Sequence, residues 1–207
     1  MKIYKLKKLD KIKIKKIASE LKNGKIAVFP TDTVYGIGTN AFCWESVNKI
    51  CKIKGRKYNK PLPILVDDIS KLKRIIKKLP TGAKKLAKRF WPGHLTLVFE
   101  TNELGCMLTG GKKSVAVRIP DDKVLLSILK EMNCPLIGTS ANLTGKKECC
   151  IINKIDKKIL RNTDILIDGG KIGSKKPSTV LDVTKFPYIL LREGCISKKE
   201  IEKFMKL

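Results

Sequence analysis

The stretch Ile26 to Gly38 reads IAVFPTDTVYGIG and contains the most informative pattern in the chain. Its first four residues, Ile26 to Phe29, are all apolar, which is typical of a strand buried on both faces. The segment that follows, PTDTVYGIG, is rich in hydroxyl residues and glycines, and these are common where a strand turns. Backbone N–H groups at such a turn can approach a phosphate or a carboxylate closely. The stretch therefore predicts a buried strand that leads into a binding loop.

Strands and helices alternate on both sides of this segment. Upstream, the sequence predicts a strand at Lys2–Leu6 and an amphipathic helix at Lys11–Asn23, with Gly24 as its stop. Downstream, strands are predicted at Pro61–Val66, Leu95–Glu100, Val115–Ile119, Leu136–Thr139, Ile165–Asp168, Thr179–Val183 and Ile189–Arg192. Helices are predicted at Trp44–Lys54, Ile69–Leu79, Thr81–Phe90, Val124–Met132 and Lys198–Met205, with Thr81 and Ser197 as caps. Strands outnumber helices, so we expect an α/β fold with a mixed, twisted open sheet flanked by helices.

The length of 207 residues predicts one domain that spans residues 1–207. The chain has no run of about 18 apolar residues, and its lysine-rich start does not match a secretory signal. We therefore expect a cytoplasmic protein without a membrane segment. The stretch Lys146–Lys176 has no strong period until DILIDGG, so much of it is expected to form a mobile surface loop.

The cysteine and histidine content argues against several kinds of site. Seven cysteines without a CxxC pair indicate reduced thiols rather than disulfides or a zinc knuckle. The adjacent Cys149 and Cys150 leave a redox role open, although free cysteine usually packs as a small apolar residue. His94 is the only histidine. Ser-His-Asp catalysis and multi-histidine metal sites are therefore not expected, and no metal-ligand residues are predicted.

The net charge of +26 comes from 45 basic and 19 acidic side chains. Such a surface attracts polyanions such as RNA, but lysine enrichment also occurs as a compositional bias, for example in hyperthermophiles. Both interpretations stay open, because 39 of the basic residues are lysines. The rarer arginines are more informative, since a guanidinium binds carboxylates and phosphates with two parallel hydrogen bonds. Arg56, Arg118 and Arg192 lie in motif-like segments.

Five segments break the simple pattern of strands and helices. They are PTDTVYGIG, KIKGRKYNKPLP, VAVRIPD, GTSANLTG and the pair KPSTVLD and LLREG. Neither GGKKS at Gly110–Ser114 nor LTGKK at Leu143–Lys147 matches the phosphate-binding P-loop, and no GxGxxG is present. A bound nucleotide would therefore have to be held by scattered lysine, arginine and hydroxyl groups.

Together these segments resemble the YrdC-like family of L-threonylcarbamoyladenylate synthases. The similar pieces, in order, are FPTDTVYGIG, the KxR element formed by Lys54 and Arg56 with Asn59 and Pro61-Leu62, WPGHLTLVF, VAVRIP, GTSAN with Gly145, STVLD and LLREG. The resemblance implies a YrdC-like fold in its short, single-domain form. It also implies an enzyme that joins L-threonine, bicarbonate and ATP into threonylcarbamoyl-AMP and releases pyrophosphate. The expected partner is the complex that transfers this group to adenosine 37 of ANN-decoding tRNAs.

The resemblance also implies roles for individual residues. Those expected to bind threonine are Thr31, Arg118 and Ser178, and those expected to bind ATP are Lys54, Arg56, Asn59, Ser140, Asn142 and Arg192. Lys54 and Arg56 are the expected catalytic residues. Positioning and charge neutralisation suffice for attack by N-carboxylated threonine on the α-phosphate, so no protein nucleophile is required. Mg²⁺ is expected to enter with ATP, held mostly by phosphates and water.

Two departures from the family pattern and two other functions stay open. His94 stands where many members have proline, and we interpret it as a turn residue, with a ligand contact as the alternative. Leu65 stands near a position where some longer members have histidine, so that contact with threonine must be absent or replaced.

The alternative functions are carbamoyl adenylation, as in the YrdC-like domain of HypF, and a noncatalytic RNA-binding module. Direct contact with tRNA is a further open possibility, given the charge.

Overall fold

A computed structural model of the chain describes residues 1–56, 62–173 and 176–205. Its strands are β1 (Lys2–Lys5), β2 (Ala27–Phe29), β3 (Gly36–Asn40), β4 (Ile64–Leu65), β5 (Leu95–Glu100), β6 (Ser114–Arg118), β7 (Leu136–Ser140), β8 (Ile165–Asp168), β9 (Thr179–Asp182) and β10 (Ile189–Arg192). Its α-helices are α1 (Lys11–Lys22), α2 (Trp44–Lys54), α3 (Thr81–Phe90), α4 (Glu103–Leu108), α5 (Lys123–Met132), α6 (Lys157–Arg161) and α7 (Lys198–Glu202). None of the described helices is both long and apolar enough to span a lipid bilayer.

The strands join into one mixed sheet in the order β1-β8-β2-β3-β7-β4-β6-β5-β9-β10. The sheet contains both parallel pairs, such as β2 with β8 and β5 with β9, and antiparallel pairs, such as β3 with β7 and β5 with β6. Helices flank this sheet, so the predicted mixed α/β architecture is confirmed.

The two faces of the sheet are covered differently. On one face, α1 and α5 pack together over the strands β1, β8 and β2, with Ile17, Leu21 and Leu129 fully buried between them. The larger apolar cluster contains Ile50, Leu86 and residues of several central strands. Helices α1 and α5 leave part of their face of the sheet uncovered, beside Phe29 and Leu65. This uncovered part forms the floor of the cleft described below.

Local signals explain most of the boundaries. The side chain of Asp10 caps α1, and Gly24 follows the helix at a left-handed φ of 83°. Ser197 and Glu200 form the capping box that starts α7, which confirms Ser197 as a cap. Thr81 is instead the first residue of α3, and Pro80 occupies the cap position without a side-chain hydrogen bond.

Two of the expected elements are wrong, and in each case tertiary contacts explain the difference. The predicted helix Ile69–Leu79 is a 3-10 helix that ends at Arg74. Ile75 O then accepts from Asn102 N, and Lys77 N donates to Glu100 O, so the backbone leaves the helix to meet the end of β5. The expected loop Lys146–Lys176 contains α6, with Ile159 fully buried, ahead of the predicted strand at Ile165–Asp168, which is present as β8.

Candidate active site

A cleft of about 280 Å³ opens on the uncovered part of the sheet. Small residues on the strands, Gly36, Thr96, Ala116 and Gly138, leave room above its floor. Around them stand six of the predicted site residues, which are Thr31, Arg56, Arg118, Ser140, Ser178 and Arg192. The structure therefore brings together side chains from segments that are far apart in the sequence. Asn59 lies outside the described residues.

Arg118, at the end of β6, is held from three sides. Its Nε donates to Gly93 O at 2.9 Å, Nη1 to the Thr33 hydroxyl at 3.0 Å, and Nη2 to Asp32 Oδ1 at 2.6 Å. Burial lowers the pKa of Arg118 below its ordinary value, and the Asp32 carboxylate opposes this by stabilising the charge. The result is a fixed guanidinium at one end of the cleft, where it can bind a carboxylate.

Thr31 stabilises the loop that carries Asp32. Its hydroxyl donates to Val34 O at 2.6 Å and accepts from the backbone N–H groups of Thr33 and Val34. Thr31 also lines the cleft. Its hydroxyl thus fixes the turn after β2, as hydroxyl side chains often do where a strand turns.

Ser178 and Arg192 form a second group, where β9 begins and β10 ends. Arg192 donates to Ser178 O from Nε at 3.1 Å and from Nη2 at 2.9 Å. The Ser178 hydroxyl lies 2.8 Å from that of Thr96. Burial lowers the pKa of Arg192, nearby Glu148 raises it, and Arg118 lowers it, so all three charges share this part of the cleft.

Lys54 lies behind the cleft wall rather than in it. Its ammonium group is buried and donates to the carbonyl oxygens of Ser140 and, at 2.6 Å, Asn142. Burial, and next the charge of Arg56, lower the pKa of Lys54 to about 8. Lys54 therefore holds both the end of β7, at Ser140, and the loop that follows it.

Asn142 and Arg56 complete the predicted set. Asn142 does not line the cleft; it donates from Nδ2 to the carbonyl oxygens of Leu143 and Lys146 and so shapes the same loop. Its buried Oδ1 has no hydrogen-bond partner among the described residues. Arg56 lines the cleft, and burial lowers its pKa.

Sequence reasoning missed four polar residues of the site. Asp32 and Thr33 anchor Arg118, Thr96 contacts Ser178, and Glu148 lines the cleft. Asp32 and Thr33 lie inside the quoted PTDT motif, so that motif contained the signal. Glu148 carries no such signal, because it lies in the stretch without a regular period. Leu65 lies in the floor of the cleft.

The chain is similar to known proteins in sequence and in fold. The sequence model of the Sua5/YciO/YrdC family, described as telomere recombination, matches residues 19–194. The chain belongs to the Sua5/YciO/YrdC family. Among its relatives is the threonylcarbamoyl-AMP synthase of Pyrococcus abyssi, 37% identical over 197 residues, which cover 95% of this chain and 58% of the relative. A putative threonylcarbamoyl-AMP synthase of Methanocaldococcus jannaschii is 36% identical over 98% of this chain and 96% of its own length.

Solved structures support the same membership. Pyrococcus abyssi Sua5 in complex with L-threonine matches this family member with a TM-score of 0.91 and 36% identity, over 99% of this chain and 61% of that one. The chain therefore spans less than two thirds of the Pyrococcus proteins. Escherichia coli YciO matches with a TM-score of 0.85 at 23% identity. A full-length HypF matches at 19% identity, with a TM-score of 0.74. The last two likenesses concern the fold alone.

Proposed function

We propose that this family member synthesises L-threonylcarbamoyl-AMP from L-threonine, bicarbonate and ATP and releases pyrophosphate. The observation that carries the proposal is the buried Arg118, held by Asp32 in a cleft that Arg56 and Arg192 also line. The names of the relatives and the threonine complex of Pyrococcus abyssi Sua5 support the choice of reaction.

The charges of the cleft suit three anionic reactants. Three guanidinium groups line it, and among the described lining residues Glu148 carries the one carboxylate. A guanidinium offers five N–H groups, and Arg118 uses three of them, which leaves one on each terminal nitrogen. These two N–H groups are available to the carboxylate of threonine. Arg56 and Arg192 then neutralise the phosphates of ATP.

The reaction requires positioning more than covalent help from the protein. The amine of threonine combines with bicarbonate to give a carbamate, with loss of one bicarbonate oxygen and two protons as water. A carbamate oxygen then attacks the α-phosphorus of ATP. The bond from this phosphorus to the oxygen of pyrophosphate breaks as the new P–O bond forms. Arginines that stabilise the developing charge, in a cleft that orients both reactants, are the catalysis this step needs.

Three further parts of the proposal concern Mg²⁺, the partner and the compartment. No group of three or more acidic, histidine or cysteine side chains among the described residues could hold a metal ion. Mg²⁺ would therefore enter with ATP, with phosphate and water oxygens as its ligands. We infer that the product passes to the complex that transfers the threonylcarbamoyl group to adenosine 37 of ANN-decoding tRNAs in the cytoplasm.

The test is to incubate the protein with threonine, bicarbonate, Mg²⁺ and ATP and to assay pyrophosphate and threonylcarbamoyl-AMP. We expect both products in equal amounts, and both should depend on threonine. ATP consumption without threonine dependence would overturn the proposal. Carbamoyl adenylation is distinguished in the same assay by supplying carbamoyl phosphate in place of threonine and bicarbonate.

The variant Arg118→Ala tests where threonine binds. Removing a buried charged contact costs about 2 to 5 kcal/mol, so KM for threonine should rise at least roughly tenfold. KM for ATP should change much less. Arg161→Ala, at an exposed position on α6, is the matched control and should behave like the wild type. Equal rises in both KM values for Arg118→Ala would show that its role is assigned wrongly.

A further inference from the structure

The carboxylate of Asp32 is buried with only one of its oxygens paired. Its side chain is 7% exposed, and Oδ1 accepts from Arg118 Nη2. Oδ2 is buried without a hydrogen-bond partner among the described residues. Burying a carboxylate oxygen without a hydrogen-bond donor costs free energy of folding. We therefore expect a hydrogen-bond donor close to Asp32 Oδ2.

The donor best placed for Asp32 Oδ2 is His94. Its Nε2 lies 3.4 Å from this oxygen, and its ring is 37% exposed, which leaves room for the small rotation that would align an N–H group. The backbone around the ring is already tied to the site. Gly93 O accepts from Arg118, and His94 O accepts from Thr179 N at 2.9 Å.

The charges around Asp32 also favour a donor at this position. Arg118 is the one cation that hydrogen-bonds to the carboxylate among the described residues. On another side, burial and next the charge of Asp32 raise the pKa of Asp122, so these two carboxyl groups repel each other. An imidazole N–H directed at Oδ2 offsets this repulsion and keeps Asp32 in the orientation that Arg118 requires.

We propose that His94 is a positioning residue for threonine binding. It donates its Nε2 proton to Asp32 Oδ2 and so fixes the carboxylate that holds Arg118. Two N–H groups of Arg118 face no other described acceptor, and a tilt of Asp32 would turn both of them away from the carboxylate of threonine. This inference rests on the proposed function, and it gives a role to the residue that stands where many family members have proline.

Two substitutions at one position separate this role from simple packing. His94→Gln keeps an amide donor, whereas His94→Leu fills a similar space without one. We expect His94→Leu to raise KM for threonine by roughly tenfold, the size of effect of a lost hydrogen bond to a charged group. KM for ATP should stay within about twofold, and His94→Gln should recover most of the threonine affinity. A wild-type threonine KM in His94→Leu, or an equal loss in both variants, would overturn the proposal.

A spectroscopic measurement tests the contact between His94 Nε2 and Asp32 Oδ2 without relying on enzyme activity. Because the chain has a single histidine, ¹H–¹⁵N NMR of the wild type shows one imidazole without ambiguity. Its Nε2 proton should exchange slowly with water in the wild type and rapidly in Asp32→Ala. Rapid exchange in the wild type would overturn the inference even if threonylcarbamoyl-AMP is formed. A protein that shows slow exchange but forms no product would instead contradict the proposed function.

Discussion

At the scale of single residues, arginine and lysine have separate roles in this molecule. Only six of the 45 basic side chains are arginines, and three of these six line the cleft. Arg118 and Arg192 are fixed by hydrogen bonds to Asp32, Thr33 and the backbone. Lys54, which is buried behind the cleft wall, instead binds the carbonyl oxygens of Ser140 and Asn142. The guanidinium groups therefore line the cleft, whereas the ammonium group of Lys54 holds backbone oxygens behind its wall.

Arg56→Lys keeps the charge in the cleft and changes only its geometry. We expect kcat/KM to fall at least roughly tenfold, because an ammonium group cannot form the two parallel hydrogen bonds that a guanidinium offers a phosphate. Steady-state assays of pyrophosphate release measure the effect. The same substitution at Arg161, which is exposed on α6, is the control. Unchanged efficiency in Arg56→Lys would argue against phosphate binding by Arg56.

The lowered pKa of Lys54 predicts a dependence of stability on pH. In the folded state this pKa is about 8, against an ordinary value of 10.5. Between these values the unfolded chain binds more protons, so this residue makes the free energy of unfolding rise as pH rises. The free energy of unfolding of the wild type, minus that of Lys54→Met, should therefore become more positive by about 1 to 3 kcal/mol from about pH 7 to about pH 10.

Urea denaturation at the two pH values measures this difference. Lys52→Met is the matched control, since Lys52 lies on the same helix and is exposed. If both variants show the same change with pH, the buried ammonium of Lys54 is not its source.

At the scale of elements, the sequence predicted those that local pattern determines. The apolar strands and the helices α1 and α7 follow from periodicity, with Gly24 after α1 and Ser197 as the cap of α7. Strand β3 was missed because Gly36 and Gly38 disfavour a strand. The structure explains the glycine at position 38, since a Cβ on this residue would lie 2.2 Å from Ile137 O of the neighbouring β7.

The site could be predicted only in part, because several of its contacts join residues that are far apart in the sequence. Family motifs identified residues that line the cleft, such as Arg118, Ser178 and Arg192. They could not reveal that Arg118 binds Asp32, because 86 positions separate the two and only the fold brings them together. Nor could they show that Lys54 turns away from the cleft to bind the loop after β7.

Gly194 tests the contact between the two segments that carry Ser178 and Arg192. An added Cβ would lie 2.2 Å from Pro177 O and 2.6 Å from the carbonyl carbon of Ser178. Gly194→Ala should therefore displace Ser178, lower kcat/KM at least roughly tenfold and cost about 2 to 3 kcal/mol of stability. Activity assays and urea denaturation measure both effects.

Gly111→Ala is the control for this substitution. Its Cβ would meet no atom of the described residues within 4 Å, although its φ of 85° is unfavourable for alanine. This variant should lose about 1 to 2 kcal/mol and keep its activity. If Gly194→Ala is also fully active, the contact with Ser178 does not shape the cleft.

At the scale of the whole molecule, the net charge of +26 exceeds what the cleft requires. Lys73, Lys77 and Lys78 are exposed on the 3-10 helix and the turn after it, outside the residues that line the cleft. If this surface serves RNA, replacing all three with glutamate should weaken RNA binding and flatten its dependence on salt. Synthesis from free reactants should change little.

Filter binding across a salt series, beside the pyrophosphate assay on the same variant, measures the two effects separately. Normal affinity for RNA would exclude these lysines as the binding surface. If the variant folds but no longer forms threonylcarbamoyl-AMP, these lysines contribute to the reaction although they do not line the cleft.

The strand order also sets when the sheet can be completed during synthesis on the ribosome. Strand β8 lies between β1 and β2, and Ile165 pairs with both Lys2 and Ala27. The ribosome reaches Ile165 about 140 residues after Ala27, which takes roughly 7 to 30 seconds at 5 to 20 residues per second. Throughout that time β2 can pair with β3 on one edge, but its other edge lacks β8. We therefore expect the nascent chain to present an unpaired strand edge, which is prone to aggregation, until β8 emerges.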